Sequence, residues 1–250
     1  MSEAAMANKP EILRRISLPP EITVCAEEMA NAISIVAHKL NHWSLINQEG
    51  FSVLLSEVAR LQRQRTATTW GIDIDRETPV VFAKAEDKNG NAIYPRLVCA
   101  GITVKQDQHN RPPFSALDIA IEVNNPDRLP IARWHVDLAN AKETEMQPGP
   151  LIHLQYGGHV HGYRELDHPL KEPRWCHPPM EIVLLCEVIV ANFYPDYWEE
   201  LREDMNWCQA ISVGQKLCYS AYLRKMLTGF SVSSKTLLHS MWASDWAISS

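Results

Sequence analysis

Five strand-like segments follow one another between about residues 79 and 157, and no helical pattern separates them. The last three segments alternate apolar and polar side chains, and the links between the segments are rich in Gly, Pro, Asn and Asp. The segments read PVVFAKAE, YPRLVCAGITVKQ, FSALDIAIEV, IARWHVDLA and PLIHLQY. Parallel neighbours would need crossover connections of about a dozen or more residues, usually helices. The sequence therefore predicts an antiparallel meander of about five strands.

Helical periodicity flanks this sheet on both sides. Apolar residues recur every three or four positions from about 20 to 65, and again from about 178 to 246. Pro178 and Pro179 fit the first turn of the second helical region, where a missing N–H costs nothing. The order of helices, antiparallel sheet and helices predicts a single α+β domain over residues 1–250.

Composition limits the classes of function. The net charge of −6 disfavours a protein that wraps broadly around nucleic acid, because neutralising phosphates needs clustered Lys and Arg. The six cysteines form no CxxC pair, which disfavours a zinc ribbon and favours a reducing compartment. No stretch resembles a secretory signal or a membrane span. We therefore expect a cytoplasmic protein without a membrane partner.

The last two predicted strands carry an unusual set of histidines. Six of the ten histidines fall between His135 and His177. Since side chains alternate across a strand, one face is expected to collect polar groups. These are Asp118, Glu122, Arg133, His135, Asp137, His153 and Gln155. A wet, salt-bridged sheet face explains the carboxylates and Gln155, but histidine is not a preferred strand residue. We therefore favour a functional site.

Metal-free acid–base chemistry is the first interpretation of this face. Two histidines can act as general base and general acid, and Arg133 can hold a phosphate. This combination suits RNA cleavage through the 2′-hydroxyl. Helices followed by a sheet with catalytic side chains on its strands resemble the small ribonuclease toxins of the barnase and RelE type, which implies a bacterial toxin or defence ribonuclease. Because these groups face away from the apolar side, the sequence also predicts that replacing them barely changes the melting temperature.

Two alternatives stay open. A divalent metal could bind at His135, Asp137, His153, His159 and His161, which would make the protein a metal-dependent hydrolase. The other alternative is a non-catalytic subunit whose polar sheet face binds a protein partner, a ligand or a second copy of the chain. No cofactor is favoured by the sequence.

Glu187 is an anomaly because it lies inside the apolar run MEIVLLCEVIVANF. A buried carboxylate must be paired or protonated. The preferred explanation is structural, an ion pair with Arg133, Arg164 or Arg174. The alternative makes Glu187 an orienting carboxylate for a histidine of the sheet. The predicted catalytic set is therefore Arg133, His135, Asp137, His153, Gln155 and Glu187.

Overall fold

The computed structural model describes residues 23–108, 111–139, 141–142, 145–157, 173–231 and 234–247. It confirms the predicted α+β class, with two N-terminal helices before the sheet and further helices after it. The helices are α1 (Ala26–His42), α2 (Gln48–Arg63), α3 (Ile182–Phe193), α4 (Pro195–Leu201), α5 (Met205–Ser231), α6 (Leu237–Ser240) and α7 (Ala243–Ala247). Within these described ranges, no helix combines the length and the apolar character needed to cross a membrane.

Local signals explain where several helices begin. The side chain of Asn47 accepts a hydrogen bond from Gly50 N at 2.7 Å and caps α2. The helical segment that begins at Pro195 is divided into α4 and α5. Asp204 lies just before α5, and its Oδ1 accepts a hydrogen bond from Trp207 N at 2.9 Å. This contact satisfies one of the free N–H groups at the new helix start.

The central sheet has eight antiparallel strands, more than the five predicted. The strands within the described residues are β1 (Thr69–Ile74), β2 (Val80–Val81), β3 (Ala85–Glu86), β4 (Ala92–Lys105), β5 (Phe114–Asn124), β6 (Pro130–Leu138), β7 (Ala141–Lys142), β8 (Glu145–Met146), β9 (Ile152–Tyr156) and β10 (Trp175–Cys176). The sheet runs in the order β1-β4-β5-β6-β9-β10, with β2 and β3 also paired to β4. β7 and β8 form a separate hairpin between β6 and β9.

The sheet differs from the prediction at both edges. The segment expected as one strand over 79–86 forms two short strands, β2 and β3. β1 was not predicted, although Trp70, Ile72 and Ile74 alternate along it and are all buried. β10 has only two residues, which is too short to show a period. The meander of β4, β5, β6 and β9 is confirmed.

The helices cover one face of this sheet. α3 contacts β4 and β5, and α1 packs against α2 and α5. The side chains that β6 and β9 direct towards the helices include Val136 and Ile152, which are 2% and 1% exposed. Trp134, on the same side of β6 as Val136, stays 38% exposed at the margin of this layer. The opposite face carries the polar side chains.

Candidate active site

Strand register assembles the polar groups into rows across the sheet. Glu122 on β5 lies opposite Arg133 on β6 and Arg96 on β4. One row further along, His135 lies opposite Gln155 on β9. In the next row, Asp137 lies opposite both Asp118 and His153. We call this set the polar sheet face: Arg96, Asp118, Glu122, Arg133, His135, Asp137, His153 and Gln155.

Asp137 joins two histidines. His153 Nε2 lies 2.5 Å from Asp137 Oδ1, and His135 Nε2 lies 3.5 Å from Asp137 Oδ2. The His153 contact is close but not aligned as a hydrogen bond, since neither atom has an aligned partner among the described residues. The register places these three side chains together because His135 precedes Asp137 by two residues and His153 pairs with Asp137 across the strands. The sequence prediction that His135 and His153 lie on one face is therefore correct.

The charge of Asp137 bears on which nitrogen of each neighbouring histidine carries a proton. Burial opposes the charged form, but the close approach of the His135 and His153 rings outweighs it and lowers the pKa of Asp137 to about 2. A carboxylate only accepts hydrogen bonds, which favours the tautomer of each histidine that carries its proton on the Nε2 facing Asp137. The Nδ1 atoms of both histidines are buried and have no hydrogen-bond partner within the described residues. Nδ1 is therefore a nitrogen of each ring that the described residues leave without a hydrogen-bond partner.

Three arginines surround Glu122, which is completely buried. Arg76 Nη2 donates to Glu122 Oε1 at 2.7 Å, and Arg96 donates to Oε2 through Nη2 at 2.6 Å and Nε at 2.9 Å. Arg133 Nε donates to Oε1 at 3.2 Å. Burial raises the pKa of Glu122, but the arginines outweigh burial and the net shift is downward. Asp118 Oδ1 lies 3.9 Å from Arg133 Nη2, so the described residues place three cations beside two carboxylates.

The guanidinium of Arg133 donates hydrogen bonds to groups within the protein. Besides Glu122, its Nη1 donates to the carbonyl of Gly157 at 3.1 Å, at the end of β9. Only 5% of the residue is exposed. A bidentate grip on a phosphate, as the sequence suggested for Arg133, would require these contacts to break. Arg76 is the accessible member of the group, because 42% of its side chain is exposed.

The expectation that this face is open to solvent is wrong for its central residues. His135 is 6% exposed and His153 is 1% exposed. Alternation along a strand identifies which residues share a face, but it does not show whether that face is covered. The associated prediction, that replacing these residues barely changes the melting temperature, stays a prediction, and the burial of His135 and His153 argues against it. Gln155, beside His135, is half-buried.

The structure describes three of the five residues of the predicted metal site, His135, Asp137 and His153. Among the described residues, no group of three His, Cys, Asp or Glu side chains is arranged to hold a metal ion. His159 and His161 lie outside the described residues. The atoms of His135 and His153 nearest to Asp137 are the two Nε2 atoms, so an ion shared by all three residues would have to displace those contacts.

Glu187 does not belong to the polar sheet face. It lies on α3, which packs on the opposite side of the sheet. Its proposed partner Arg133 binds Glu122 instead, Arg174 donates to the carbonyl of Pro148, and Arg164 lies outside the described residues. Partial burial raises the pKa of Glu187. Neither an ion pair of Glu187 with Arg133 nor an orienting contact with a sheet histidine is present.

Sequence reasoning missed three residues. Arg96 could have been found, because YPRLV places it on the polar side of β4 by alternation. Arg76 lies in the connection between β1 and β2, where no period exists to place it. Glu181 is the fully buried carboxylate near α3, and it caps that helix by accepting from Val183 N at 2.8 Å and Leu184 N at 3.0 Å. Glutamate is not a preferred N-cap residue, so local sequence preferences do not indicate this cap.

Comparison of the chain with models of protein families, with curated proteins and with solved structures finds no match.

Proposed function

We propose that the protein is an acid–base enzyme that cleaves phosphodiester bonds in RNA without a metal ion. The observation that supports this proposal most strongly is the shared carboxylate of Asp137 between His135 and His153. It holds two imidazoles whose Nδ1 atoms have no hydrogen-bond partner among the residues that the structure describes. One neutral and one protonated imidazole provide the base and the acid that such a reaction needs.

The proposed reaction is an intramolecular transfer. The neutral histidine takes the proton of the ribose 2′-hydroxyl through Nδ1, and the 2′-oxygen attacks the adjacent phosphorus. The bond from phosphorus to the 5′-oxygen breaks, and the protonated histidine delivers its Nδ1 proton to that oxygen. The products are a 2′,3′-cyclic phosphate and a 5′-hydroxyl end. Asp137 stabilises the imidazolium at each stage and is a positioning residue.

The arginines around Glu122 provide the positive field for the phosphate. Arg133 stands two residues before His135 on the same face, so the arginine group is adjacent to the histidines along β6. Arg76 has donors left after its contact with Glu122 and a side chain that solvent reaches. We therefore propose that Arg76 contacts the phosphate and that Glu122 positions Arg76 and Arg96.

The experiment is cleavage of a mixed single-stranded RNA pool by the full chain, with and without chelator. We expect cleavage in both conditions, cyclic phosphate ends and a bell-shaped dependence of rate on pH. His135→Gln and His153→Gln are each expected to reduce the rate about 10²–10⁴-fold, and the double variant to be little worse than the worse single one. His239→Gln is the matched control, because 57% of that side chain is exposed. Absence of cleavage by the wild type overturns the proposal.

The metal-dependent alternative gives a different result in the same assay. Activity that chelator removes and zinc or manganese restores, with stoichiometric metal in the purified protein, supports a hydrolase that uses His135, Asp137 and His153 as ligands. The binding-subunit alternative predicts that the wild type cleaves no RNA in this assay. The exposed aromatic residues on the other face fit a binding role better.

A further inference from the structure

A small cleft opens on the apolar side of the sheet, opposite the histidines. It lies between α3 and strands β5, β6 and β9 and has a volume of about 290 Å³. Apolar side chains form most of its walls, and Trp134, Val136, Leu154, Val188 and Phe193 are among them. Trp134 is 38% exposed and is supported by an edge-to-face contact with Tyr156, with ring centres 5.7 Å apart. This volume is at the small end of ligand pockets and suits one aromatic heterocycle.

Two polar side chains line the cleft, and their hydrogen bonds fix what they offer. His177 Nδ1 lies 2.7 Å from the carbonyl of Pro178, so Nδ1 carries the proton and Nε2 is left as an acceptor. Burial lowers the pKa of His177, which keeps the ring neutral. Asn192 Nδ2 donates to the carbonyl of Val188 at 2.8 Å, which orients the amide. Asn192 therefore still offers Oδ1 as an acceptor and one N–H as a donor.

We infer that this cleft binds an adenine base. A neutral, mostly apolar cleft disfavours charged ligands, because they would lose their hydration without a compensating partner. An asparagine amide pairs in bidentate fashion with the amino group and the adjacent ring nitrogen of adenine. The second hydrogen of that amino group matches the His177 Nε2 acceptor. The indole of Trp134 supplies an aromatic surface for the base.

The inferred site is independent of the proposed ribonuclease activity. Alternation along β6 puts Trp134 on one face and His135 on the other, so a base in the cleft cannot contact the histidine centre. An experiment that finds no RNA cleavage does not argue against the adenine site. An experiment that finds no adenosine binding does not argue against the cleavage chemistry. Each proposal can therefore be rejected without rejecting the other.

The test is calorimetric titration of the full chain with adenosine, inosine and N6,N6-dimethyladenosine. We expect saturable binding of adenosine and at least about tenfold weaker binding of both analogues, because each removes amino-group donors from an otherwise similar base. Guanosine is included as a fourth ligand. Equal affinity for adenosine and the dimethyl analogue, tighter binding of guanosine, or no binding of adenosine at millimolar concentration overturns the inference.

Two variants of residues that line the cleft test whether adenosine binds there. His177→Phe and Asn192→Leu keep the size of each side chain while removing its acceptor, and each is expected to weaken adenosine binding about tenfold. Trp175→Phe is the matched control, since Trp175 is 65% exposed on the neighbouring strand and does not line the cleft. The melting temperature of each variant checks that the fold is intact. Adenosine binding that survives both variants unchanged places the ligand elsewhere and overturns the inference.

Discussion

Asp137 on β6 and His153 on β9 are cross-strand partners, and Oδ1 of the first lies 2.5 Å from Nε2 of the second. The contact depends on register, because a slip of one residue would turn every side chain of β9 to the other face. The same carboxylate faces His135 on its own strand at 3.5 Å. One aspartate therefore organises two imidazoles, and its ionisation state links stability to the proposed chemistry.

Asp137 should contribute to stability in a defined range of pH. Its pKa falls from 3.8 to about 2 on folding, so its contribution is present above about pH 4 and is lost as the pH falls towards 2. The shift corresponds to about 2 kcal/mol of unfolding free energy. We expect the stability difference between wild type and Asp137→Asn, measured by urea unfolding, to shrink from pH 6 to pH 2. A difference that is constant over this range contradicts the assignment.

His153 should matter for stability as well as for activity. It is 1% exposed, so His153→Ala leaves a cavity beside the carboxylate of Asp137. We expect the free energy of unfolding to fall by about 1–3 kcal/mol. The control is His239→Ala, in which 57% of the replaced side chain is exposed and a change within about 0.5 kcal/mol is expected. Equal effects of both variants would show that His153 is not packed as described.

Glu122 should be the most sensitive residue of the polar sheet face. Glu122→Gln removes the charge that three arginines share in a buried position. Breaking a buried ion pair from one side costs about 3–5 kcal/mol, because the remaining charges are left uncompensated. Asp118→Asn is the control, since 49% of that side chain is exposed and about 0–1 kcal/mol is expected. Chemical denaturation of both variants at pH 7 measures the two losses of unfolding free energy and tests this prediction.

Glu181 should make the protein less stable as the pH rises. Complete burial raises its pKa from 4.5 to about 7, despite two backbone hydrogen bonds that favour the charged form. A raised pKa of a carboxyl group gives a contribution that is fully present below about pH 4.5 and is lost by about pH 7. The loss is about 3 kcal/mol. Glu181→Gln should remove this decline in thermal unfolding curves between pH 4.5 and 8, whereas the exposed control Glu199→Gln should retain it.

Gly214 on α5 should resist substitution because of Glu181. A Cβ atom at position 214 would lie 2.3 Å from Glu181 Oε1, an oxygen that the backbone of α3 already holds. Glycine to alanine at an open helical position normally stabilises a protein. Here we expect Gly214→Ala to destabilise it by about 1–3 kcal/mol. In a Glu181→Ala background the cost should shrink, and a double-mutant cycle without coupling would contradict the contact.

The sequence by itself determined the fold class and the composition of each sheet face. Alternation in FSALDIAIEV, IARWHVDLA and PLIHLQY places His135, Asp137 and His153 on one side, because a strand has a period of two. Short links without helices require antiparallel neighbours. Helical periodicity on both sides of the sheet is also local information, so the order of helices, sheet and helices follows from it.

Only the tertiary structure decided which polar groups meet and how deeply they are buried. Arg76 reaches Glu122 from a connection without periodicity, and Glu181 reaches the space left by Gly214 between two helices. Glu187 looked anomalous in the sequence but lies on the far side of the sheet from the histidines. Contacts of this kind depend on distances between segments that are remote in the chain. Local propensity and period do not contain those distances, because the same pattern of residues can be exposed or covered.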